Sequence, residues 1–243
     1  LPPSSINRRG STVRGDYRYP STMTTPPDPA PLPLAEGLML GDDGQPRCFW
    51  GGKIPGFAEY HDNEWGFPVQ DEHKLFEKVC LEGFQSGLSW RTILDKRPAF
   101  REVFLDFDFE RVARFGDDDV ARLLADARIV RHRGKIEATI NNARRACEAV
   151  DAHGSLGALL WRYEPPPARR PSRMTHEVLR STPLSEDSTK LAKDLKRLGW
   201  RFFGPTTAYA FMQAMGLVND HLVGCTVRDR CEAARPRFVR PGR

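Results

Sequence analysis

Two pairs of side chains with soft metal-binding atoms lie far apart in the chain. Cys48 and His61 precede most of the helical pattern, and His221 and Cys225 follow it. Two thiolates and two imidazoles would form a closed tetrahedral zinc shell with no open position for a catalytic water. The spacing of four between His221 and Cys225 predicts that both lie on one helical face. We therefore predict a structural zinc ion that joins the two ends of the chain, although each residue taken singly is more often a core residue.

The other three of the five cysteines are interpreted differently. Cys80 and Cys147 fall on apolar helix faces, which predicts that they belong to the core. Cys231 lies in the basic tail and is predicted to be a free surface thiol. The odd number of cysteines, together with an expected reducing compartment, argues against a disulfide framework.

A second group of residues combines aromatic rings with one carboxylate. Glu82 lies within a segment that ends in a tryptophan, and the other aromatic residues cluster around His61. A flat, cationic base flipped out of a duplex needs a stacking platform, a negative charge and hydrogen-bond acceptors. The predicted base-binding residues are Trp50, Tyr60, Trp65, Glu82 and Trp90. The alternative is that the rings fill the core and that Glu82 is solvated at a helix end.

The segment 195–210 has the pattern of a helix, a tight turn and a second helix. Gly199 suits a left-handed helix cap, and Gly204 followed by Pro205 suits the start of the second helix. Backbone N–H groups at such a helix start can bind one DNA phosphate without reading the sequence. The predicted phosphate-binding residues are Gly199, Arg201, Gly204 and Thr206, with Lys196 and Arg197 adding charge. An ordinary, well-capped helical hairpin is the alternative.

The elements that must position these residues are helical nearly throughout. We predict that Asp71 caps a helix to about Leu81, that a helix covers residues 85–96, and that Pro98 lies in the first turn of the next helix. Further helices are predicted over residues 109–114, 117–125, 134–152, 156–162, 188–198 and 205–215. Because no segment shows the alternation of a strand, the sequence predicts an all-α fold.

Composition divides the chain into three parts. Residues 1–46 are rich in Pro, Ser and Thr and are predicted to be a disordered extension. Residues 47–227 are predicted to form the helical domain, and residues 228–243 a basic, disordered tail. The formal net charge is +5, but the tail alone holds six arginines against two acidic residues. Any nucleic-acid surface on the helical domain must therefore be a local patch.

Length and hydropathy bound the class of protein. With 243 residues, of which 40% are hydrophobic, the chain can bury one sizeable core or two small ones. No apolar run approaches the roughly 20 residues that span a bilayer, and the start of the sequence lacks the apolar region of a secretory signal. We expect a cytoplasmic protein without a membrane partner.

Seven colinear segments carry a resemblance to a known family. They are Cys48-Phe49-Trp50, Tyr60-His61-Asp62-Asn63-Glu64-Trp65-Gly66, Leu81-Glu82-Gly83, Gly87-Leu88-Ser89-Trp90, Arg131-His132-Arg133-Gly134-Lys135-Ile136, Phe211-Met212-Gln213-Ala214 and Gly216-Leu217-Val218-Asn219-Asp220-His221. The chain closely resembles the DNA-3-methyladenine glycosylase I family of the helix-hairpin-helix superfamily, from about Arg47 to Cys225. Phe49 and Phe203 are bulkier than the pattern of that family, and the two terminal extensions have no counterpart in it.

The resemblance implies roles for particular residues. It implies that Cys48, His61, His221 and Cys225 bind structural zinc, that Glu82 and Tyr60 hydrogen-bond the methylated base, and that Trp90 stacks on it. It also implies a helix-hairpin-helix glycosylase fold with the zinc ion joining its two ends. The implied partner is double-stranded alkylated DNA, and the implied product is free 3-methyladenine, released by a monomeric enzyme without lyase activity.

The implied reaction makes Glu82 the predicted catalytic residue. Because a base methylated at N3 is cationic, its release needs little help from an acid, and Glu82 would stabilise the base while charge moves to the sugar. Asp220 is a candidate general base for the attacking water, or it orients the neighbouring His221. The sequence does not decide between these two roles.

Two rival functions remain at this stage. A bifunctional glycosylase/lyase needs a desolvated lysine nucleophile near the hairpin, and no lysine there stands in an apolar setting. A catalytically silent, zinc-stabilised DNA-binding module needs only the hairpin and the tail. The presence of Glu82 together with the aromatic residues argues against the silent module.

Overall fold

The structure is a computed structural model that describes residues 33–52, 54 and 56–242. The part of the predicted disordered extension that covers residues 1–32 lies outside this description. Two short strands and a series of helices are present in the described residues. They are β1 (Leu38–Leu40), β2 (Pro46–Cys48), α1 (Phe57–Asn63), α2 (Glu72–Gln85), α3 (Trp90–Val103), α4 (Phe109–Val112), α5 (Asp117–Ala125), α6 (Arg133–His153), α7 (Leu156–Leu160), α8 (His176–Ser181), α9 (Glu186–Arg197), α10 (Pro205–Ala214) and α11 (Arg228–Ala234).

Helix α2 runs through the middle of the protein. Its side chains are buried without interruption from Leu75 to Phe84. Asp71 caps it as predicted, because its Oδ1 accepts a hydrogen bond of 2.9 Å from the backbone N–H of Lys74. The neighbouring α3 packs aromatic rings against it, with Phe84 and Phe100 centred 4.6 Å apart. This contact holds the last turn of α3 against the end of α2.

The helix boundaries predicted around α3, with one helix over residues 85–96 and another starting near Pro98, were wrong. The chain turns at Gly87, which has a φ of +80°. Ser89 then caps α3 by accepting a hydrogen bond of 3.2 Å from the N–H of Thr92. Pro98 lies inside α3 instead of starting a new helix. Pro98 is exposed, and α3 continues past it to Val103.

The all-α prediction needs one correction, since β1 and β2 form an antiparallel pair with Leu38 opposite Cys48. Strands of three residues are too short to show an alternating pattern in the sequence. The disorder predicted for residues 1–46 is therefore wrong for the described part. This strand pair is fixed to the helical part of the chain, because the carbonyl of Pro46 accepts a hydrogen bond of 2.9 Å from the N–H of Thr226.

The prediction of a disordered tail is wrong over the residues that the structure describes. Helix α11 occupies the start of the tail, and Arg235 just after it is only 4% exposed. The Arg235 guanidinium donates a hydrogen bond of 2.6 Å to Glu164, which is 71 positions away in the sequence. Cys231, predicted to be a surface thiol, is completely buried. Pairing with a distant carboxylate orders this basic segment, and composition alone does not reveal such a partner.

None of the helices in the described residues is both long and apolar enough to span a membrane.

Candidate base pocket and metal site

The four predicted metal ligands come together in a buried cluster. Their ligand atoms, on Cys48, His61, His221 and Cys225, all lie within 4.8 Å of one another. Cys225 Sγ is 3.6 Å from both His61 Nε2 and His221 Nδ1, and Cys48 Sγ is 3.8 Å from His221 Nδ1. In a tetrahedral site with zinc–sulfur bonds of about 2.3 Å and zinc–nitrogen bonds of about 2.0 Å, a sulfur and a nitrogen ligand lie roughly this far apart. The residues present therefore fit one metal ion in a closed shell.

Neighbouring polar groups fix the orientation of both imidazoles. Asp62 Oδ1 lies 2.7 Å from His61 Nδ1, and Arg47 in turn donates a hydrogen bond of 2.7 Å to the same carboxylate. The other imidazole places its Nε2 2.9 Å from the carbonyl oxygen of Trp65. Each ring thus presents its remaining nitrogen to the cluster, the arrangement that metal-binding histidines need.

The reason predicted for the pairing of His221 with Cys225 was wrong. Neither residue lies in a helix, since the chain between α10 and α11 is a series of turns that includes Gly224 with a φ of +91°. The N–H of Cys225 bonds the carbonyl of Leu222 at 2.9 Å, which closes the turn between the two ligands. A turn therefore produces the convergence that the spacing had suggested for a helix.

The position of Asp220 fits neither of its candidate roles, which were to activate the attacking water and to orient the His221 ring. Its carboxylate accepts hydrogen bonds from Tyr209 Oη at 2.7 Å and from Gln213 Nε2 at 2.8 Å. It is 2% exposed and contacts α10 instead of the His221 ring. Because Tyr209 and Gln213 both line the aromatic cavity, Asp220 supports the cavity wall from behind.

The five predicted base-binding residues all line one cavity of about 380 Å³. On one side, the rings of Trp50 and Trp65 are centred 4.9 Å apart at 77° to each other. On another side, the rings of Tyr60 and Trp90 are 5.4 Å apart. The complete lining is Trp50, Phe57, Tyr60, Trp65, Glu82, Gln85, Trp90, Leu179, Thr182, Pro183, Thr206, Tyr209, Ala210 and Gln213. Rings on several sides suit a flat ligand that is stacked and enclosed.

Three helices position the side chains of the cavity, and one glycine lets Glu82 reach it. Tyr60 is on α1, Glu82 on α2 and Trp90 at the start of α3. A side chain at Gly83 would put its Cβ 3.1 Å from the carbonyl oxygen of Phe202, in the turn that follows α9. Glycine at this position therefore lets α2 approach that turn and brings Glu82 to the cavity.

The environment of Glu82 favours a carboxyl group that holds its proton more tightly than usual. The residue is 6% exposed, and burial raises its pKa to about 7. The positive charge of Lys78 opposes this rise. Burial also raises the pKa of Tyr60 well above its usual value, so its hydroxyl keeps its proton at neutral pH.

Several lining residues were not predicted. Tyr209, Ala210 and Gln213 come from α10, and Leu179, Thr182 and Pro183 come from α8 and the turn after it. Gln213 lies in one of the seven segments that carry the resemblance, so the family pattern could have indicated this residue as part of the site. Thr206 was predicted for phosphate binding, and the structure places it in the cavity lining as well.

The hairpin has the geometry that its glycines predicted. Helix α9 ends before Gly199, which has a φ of +84°, and Gly204 is the extended residue at the start of α10. The first hydrogen bond within α10 runs from the N–H of Ala208 to Gly204 O at 2.8 Å. The N–H groups of the first turn therefore face outward, beside the exposed side chains of Arg201 and Thr206. The four predicted phosphate-binding residues lie together at this turn.

A helical frame holds an aromatic cavity with one buried carboxylate, and a glycine-bounded hairpin lies next to it. This combination defines a helical protein whose cavity has the residues to suit a planar, cationic aromatic ligand, beside a turn that suits a phosphate. The model of the methyladenine glycosylase family matches residues 50–229. The chain belongs to this family.

Relatives and solved structures share most of their length with this chain. DNA-3-methyladenine glycosylase 1 of Escherichia coli (strain K12) is 46% identical over 187 residues, which cover 74% of this chain and 95% of the relative. DNA-3-methyladenine glycosylase of Haemophilus influenzae (strain ATCC 51907 / DSM 11121 / KW20 / Rd) is 41% identical over 180 residues, covering 74% and 96% of the two chains.

Two solved structures show the same arrangement of the chain. A crystal structure of 3-methyladenine DNA glycosylase I has a TM-score of 0.67 and 44% identity, and the match covers 74% of this chain and 98% of that one. A structure concerned with 3-methyladenine recognition by 3-methyladenine DNA glycosylase I from Staphylococcus aureus has a TM-score of 0.69 and 38% identity, covering 75% and 96%.

Proposed function

We propose that this chain hydrolyses the N-glycosidic bond of 3-methyladenine in alkylated double-stranded DNA. The products are the free base and an abasic site, and the reaction is a step of base-excision repair. The observation that carries the proposal is the Glu82 carboxylate, which is buried in the wall of an aromatic cavity large enough for one base. Membership of the methyladenine glycosylase family supports the same substrate.

Charge is the basis of base recognition in this proposal. A cationic methylated base gains an attraction to the Glu82 carboxylate that neutral adenine lacks, and exclusion of water by the surrounding rings strengthens it. Tyr60 supplies a hydroxyl for hydrogen bonding, and Trp90 supplies a face for stacking. Trp50 and Trp65 close the cavity on the side of the metal cluster. A flipped base would thus be held through both its charge and its two faces.

The chemistry needs little beyond this recognition. As the glycosidic bond breaks, the base becomes neutral and positive charge develops on the sugar, where a nearby carboxylate is stabilising. Glu82 is therefore the proposed catalytic residue. Asp220 is held behind Tyr209 and Gln213, so we assign it support of the cavity wall and no role in activating water.

The hairpin is the proposed site for the DNA backbone. The N–H groups at the start of α10 can hydrogen-bond one phosphate, and the exposed Arg201 adds charge beside them. Gly199 and Gly204 allow the tight turn, and Thr206 connects it to the cavity lining. The hairpin would therefore anchor the strand whose base enters the cavity, as the helix-hairpin-helix interpretation predicts.

The buried cluster of two cysteines and two histidines is the proposed site of one structural Zn²⁺ ion. Thiolates and imidazoles are the ligands that zinc prefers, and a closed shell of four protein ligands supplies cross-linking without catalysis. Cys48 and His61 would hold the ion from the β2 and α1 side. His221 and Cys225 would hold it from the turns before α11.

A product assay tests the proposal. The purified chain should release free 3-methyladenine from alkylated duplex DNA and leave intact strands until alkali cleaves the abasic sites. Binding of the duplex without release of the base would instead establish the silent, zinc-stabilised DNA-binding module. Strand nicks without alkali would establish a glycosylase/lyase. We also propose that the chain acts as a monomer in the cytoplasm, since the cavity, the hairpin and the metal cluster are all formed by residues of a single chain.

A further inference from the structure

A lysine is buried directly behind the wall of the base cavity. Lys78 on α2 is 1% exposed, and its ammonium lies 4.6 Å from the centre of the Tyr60 ring and 4.3 Å from the centre of the Trp90 ring. Its Nζ donates a hydrogen bond of 2.9 Å to Tyr60 Oη. Lys78 would therefore act on a base in the cavity through the residues in front of it. In the sequence, Lys78 is one of two lysines in the α2 segment, and no local pattern distinguishes it.

Lys78 also lies one helical turn before Glu82. Residues four apart on a helix share a face, so Lys78 and Glu82 lie on the same side of the buried part of α2. The charge of each side chain acts on the pKa of the other. A carboxylate that loses its water without gaining a positive neighbour takes up a proton. A protonated Glu82 would lose the charge attraction to a cationic base.

We propose that Lys78 is a positioning residue for base recognition, which favours the charged form of Glu82 and orients the hydroxyl of Tyr60 toward the base. This inference rests on the proposed function of the cavity. Because Tyr60 Oη accepts the hydrogen bond from Lys78, its own hydrogen is free to bond an acceptor nitrogen of the base. One buried ammonium thus prepares two recognition groups.

The other charges near Lys78 are paired among themselves. Glu64 after α1, Glu77 on α2 and Arg97 on α3 all face it. Arg97 lies 2.7 Å from Glu64 and 2.8 Å from Glu77, and Arg101 shares the latter carboxylate at 2.7 Å. These two acids therefore have guanidinium partners of their own, whereas Lys78 supplies the positive charge that lowers the pKa of Glu82.

The remaining titratable groups that line the cavity with Glu82 are two phenols. Burial raises the pKa of both Tyr60 on α1 and Tyr209 on α10 above the usual value, so both are neutral near pH 7. Burial also raises the pKa of Glu82 to about 7, and the charge of Lys78 works against that rise. Among the groups that line the cavity, Glu82 is therefore the one whose pKa lies in the neutral range. Burial also lowers the pKa of Lys78, behind the wall, to about 8.

The test is the pH profile of single-turnover excision from a duplex that contains 3-methyladenine. Lys78→Met removes the charge, so the pKa of Glu82 should rise further and the acid limb should move up by roughly one to two pH units. At a pH below the limb, excision should fall by about ten- to a hundredfold, and it should approach the wild-type rate near pH 9. Lys74→Met is the matched control, since it deletes an exposed lysine one turn earlier on α2 and should leave the limb in place.

Two further variants separate charge from hydrogen bonding. Lys78→Gln keeps a donor for Tyr60 but no charge, so its acid limb should move like that of Lys78→Met while base affinity stays closer to wild type. In a Glu82→Gln background, Lys78→Met should cause no shift because the titrating carboxyl group is gone. If circular dichroism shows that Lys78→Met does not fold, Lys78→Gln replaces it in the same test.

The two proposals can fail separately. An acid limb that stays in place in a folded Lys78 variant, while wild type excises the base, would overturn the role of Lys78 and leave the proposed function intact. A wild-type chain that releases no 3-methyladenine at any pH would overturn the proposed function itself.

Discussion

The side chain of Asn142 on α6 hydrogen-bonds both backbone polar groups of Arg201. Asn142 Nδ2 donates to the Arg201 carbonyl at 2.9 Å, and Asn142 Oδ1 accepts from the Arg201 N–H at 2.9 Å. The asparagine is 3% exposed. Its neighbour Asn141 adds a hydrogen bond of 2.9 Å to the carbonyl of Gly199. Helix α6 therefore fixes the turn of the hairpin from behind, where sequence reasoning had placed only the glycines.

This arrangement predicts that Asn142→Ala weakens DNA binding without damaging the base cavity. Both backbone groups of Arg201 would lose a buried partner, which should cost about 1–3 kcal/mol of unfolding free energy and lower duplex affinity several-fold. Denaturant unfolding and fluorescence anisotropy with a labelled duplex measure the two effects. Asn141→Ala removes a single, more exposed bond and should cost less. Equal effects of the two substitutions would contradict the account.

A buried carboxylate, Glu164, should make the stability of the ordered tail depend on pH. Burial raises its pKa, but the hydrogen bond from Arg240 and the charges of Arg235 and Arg170 outweigh burial, so the net pKa is lower than usual. The stabilisation is therefore complete above the unfolded value of 4.5 and is lost as the pH falls through the lower folded value.

The matching prediction is that Glu164→Gln costs about 3–5 kcal/mol near pH 7, because it leaves the buried Arg235 without its carboxylate. The difference from wild type should shrink as the pH falls through the lowered pKa of folded Glu164, because wild type then loses the same charge. Melting curves across pH 3 to 7 measure it. The control is Glu186→Gln, an exposed pair with Arg169 at 3.8 Å, which should change stability by less than about 1 kcal/mol. A constant difference at all pH values would show that ionisation of Glu164 does not matter.

The metal cluster predicts one zinc ion per chain. Cys48→Ser should lose the ion, as measured by elemental analysis, and should melt well below wild type, because the ion would join segments some 170 residues apart, as in the contact of Cys48 with His221. Cys147→Ser alters a half-buried cysteine on α6 outside the cluster and should keep the ion. A metal-free wild type that melts normally would refute the assignment.

Much of the candidate site could be predicted from the sequence because its residue types are chemically distinctive. Cys48 and His221 indicated a metal site because thiolates and imidazoles bind metal ions, and this indication does not depend on the local backbone conformation. The turn around Gly199 follows from glycine itself, because a positive φ is available to it at little cost. Such predictions depend on the chemistry of single residues and on local conformation.

The features that were missed depend on contacts between distant segments. The helical face predicted for His221 and Cys225 proved to be a turn, because a spacing of four is also satisfied by other conformations. Glu164 orders the basic tail across 71 positions, and no local pattern marks that pairing. Lys78 looked like one of many lysines, since its importance comes from burial against Tyr60, which only the packing of α1 on α2 produces.

The measurement that tests the central claim most directly is single-turnover excision by Glu82→Gln. The substitution keeps the shape of the side chain and an acceptor oxygen but removes the charge that, in this proposal, attracts the cationic base. We predict that excision of 3-methyladenine falls by on the order of ten- to a thousandfold, with melting and metal content unchanged. Glu110→Gln, the same change at an exposed position on α4, should match wild type. Wild-type excision by Glu82→Gln would contradict the assignment of the cavity as the base-binding site.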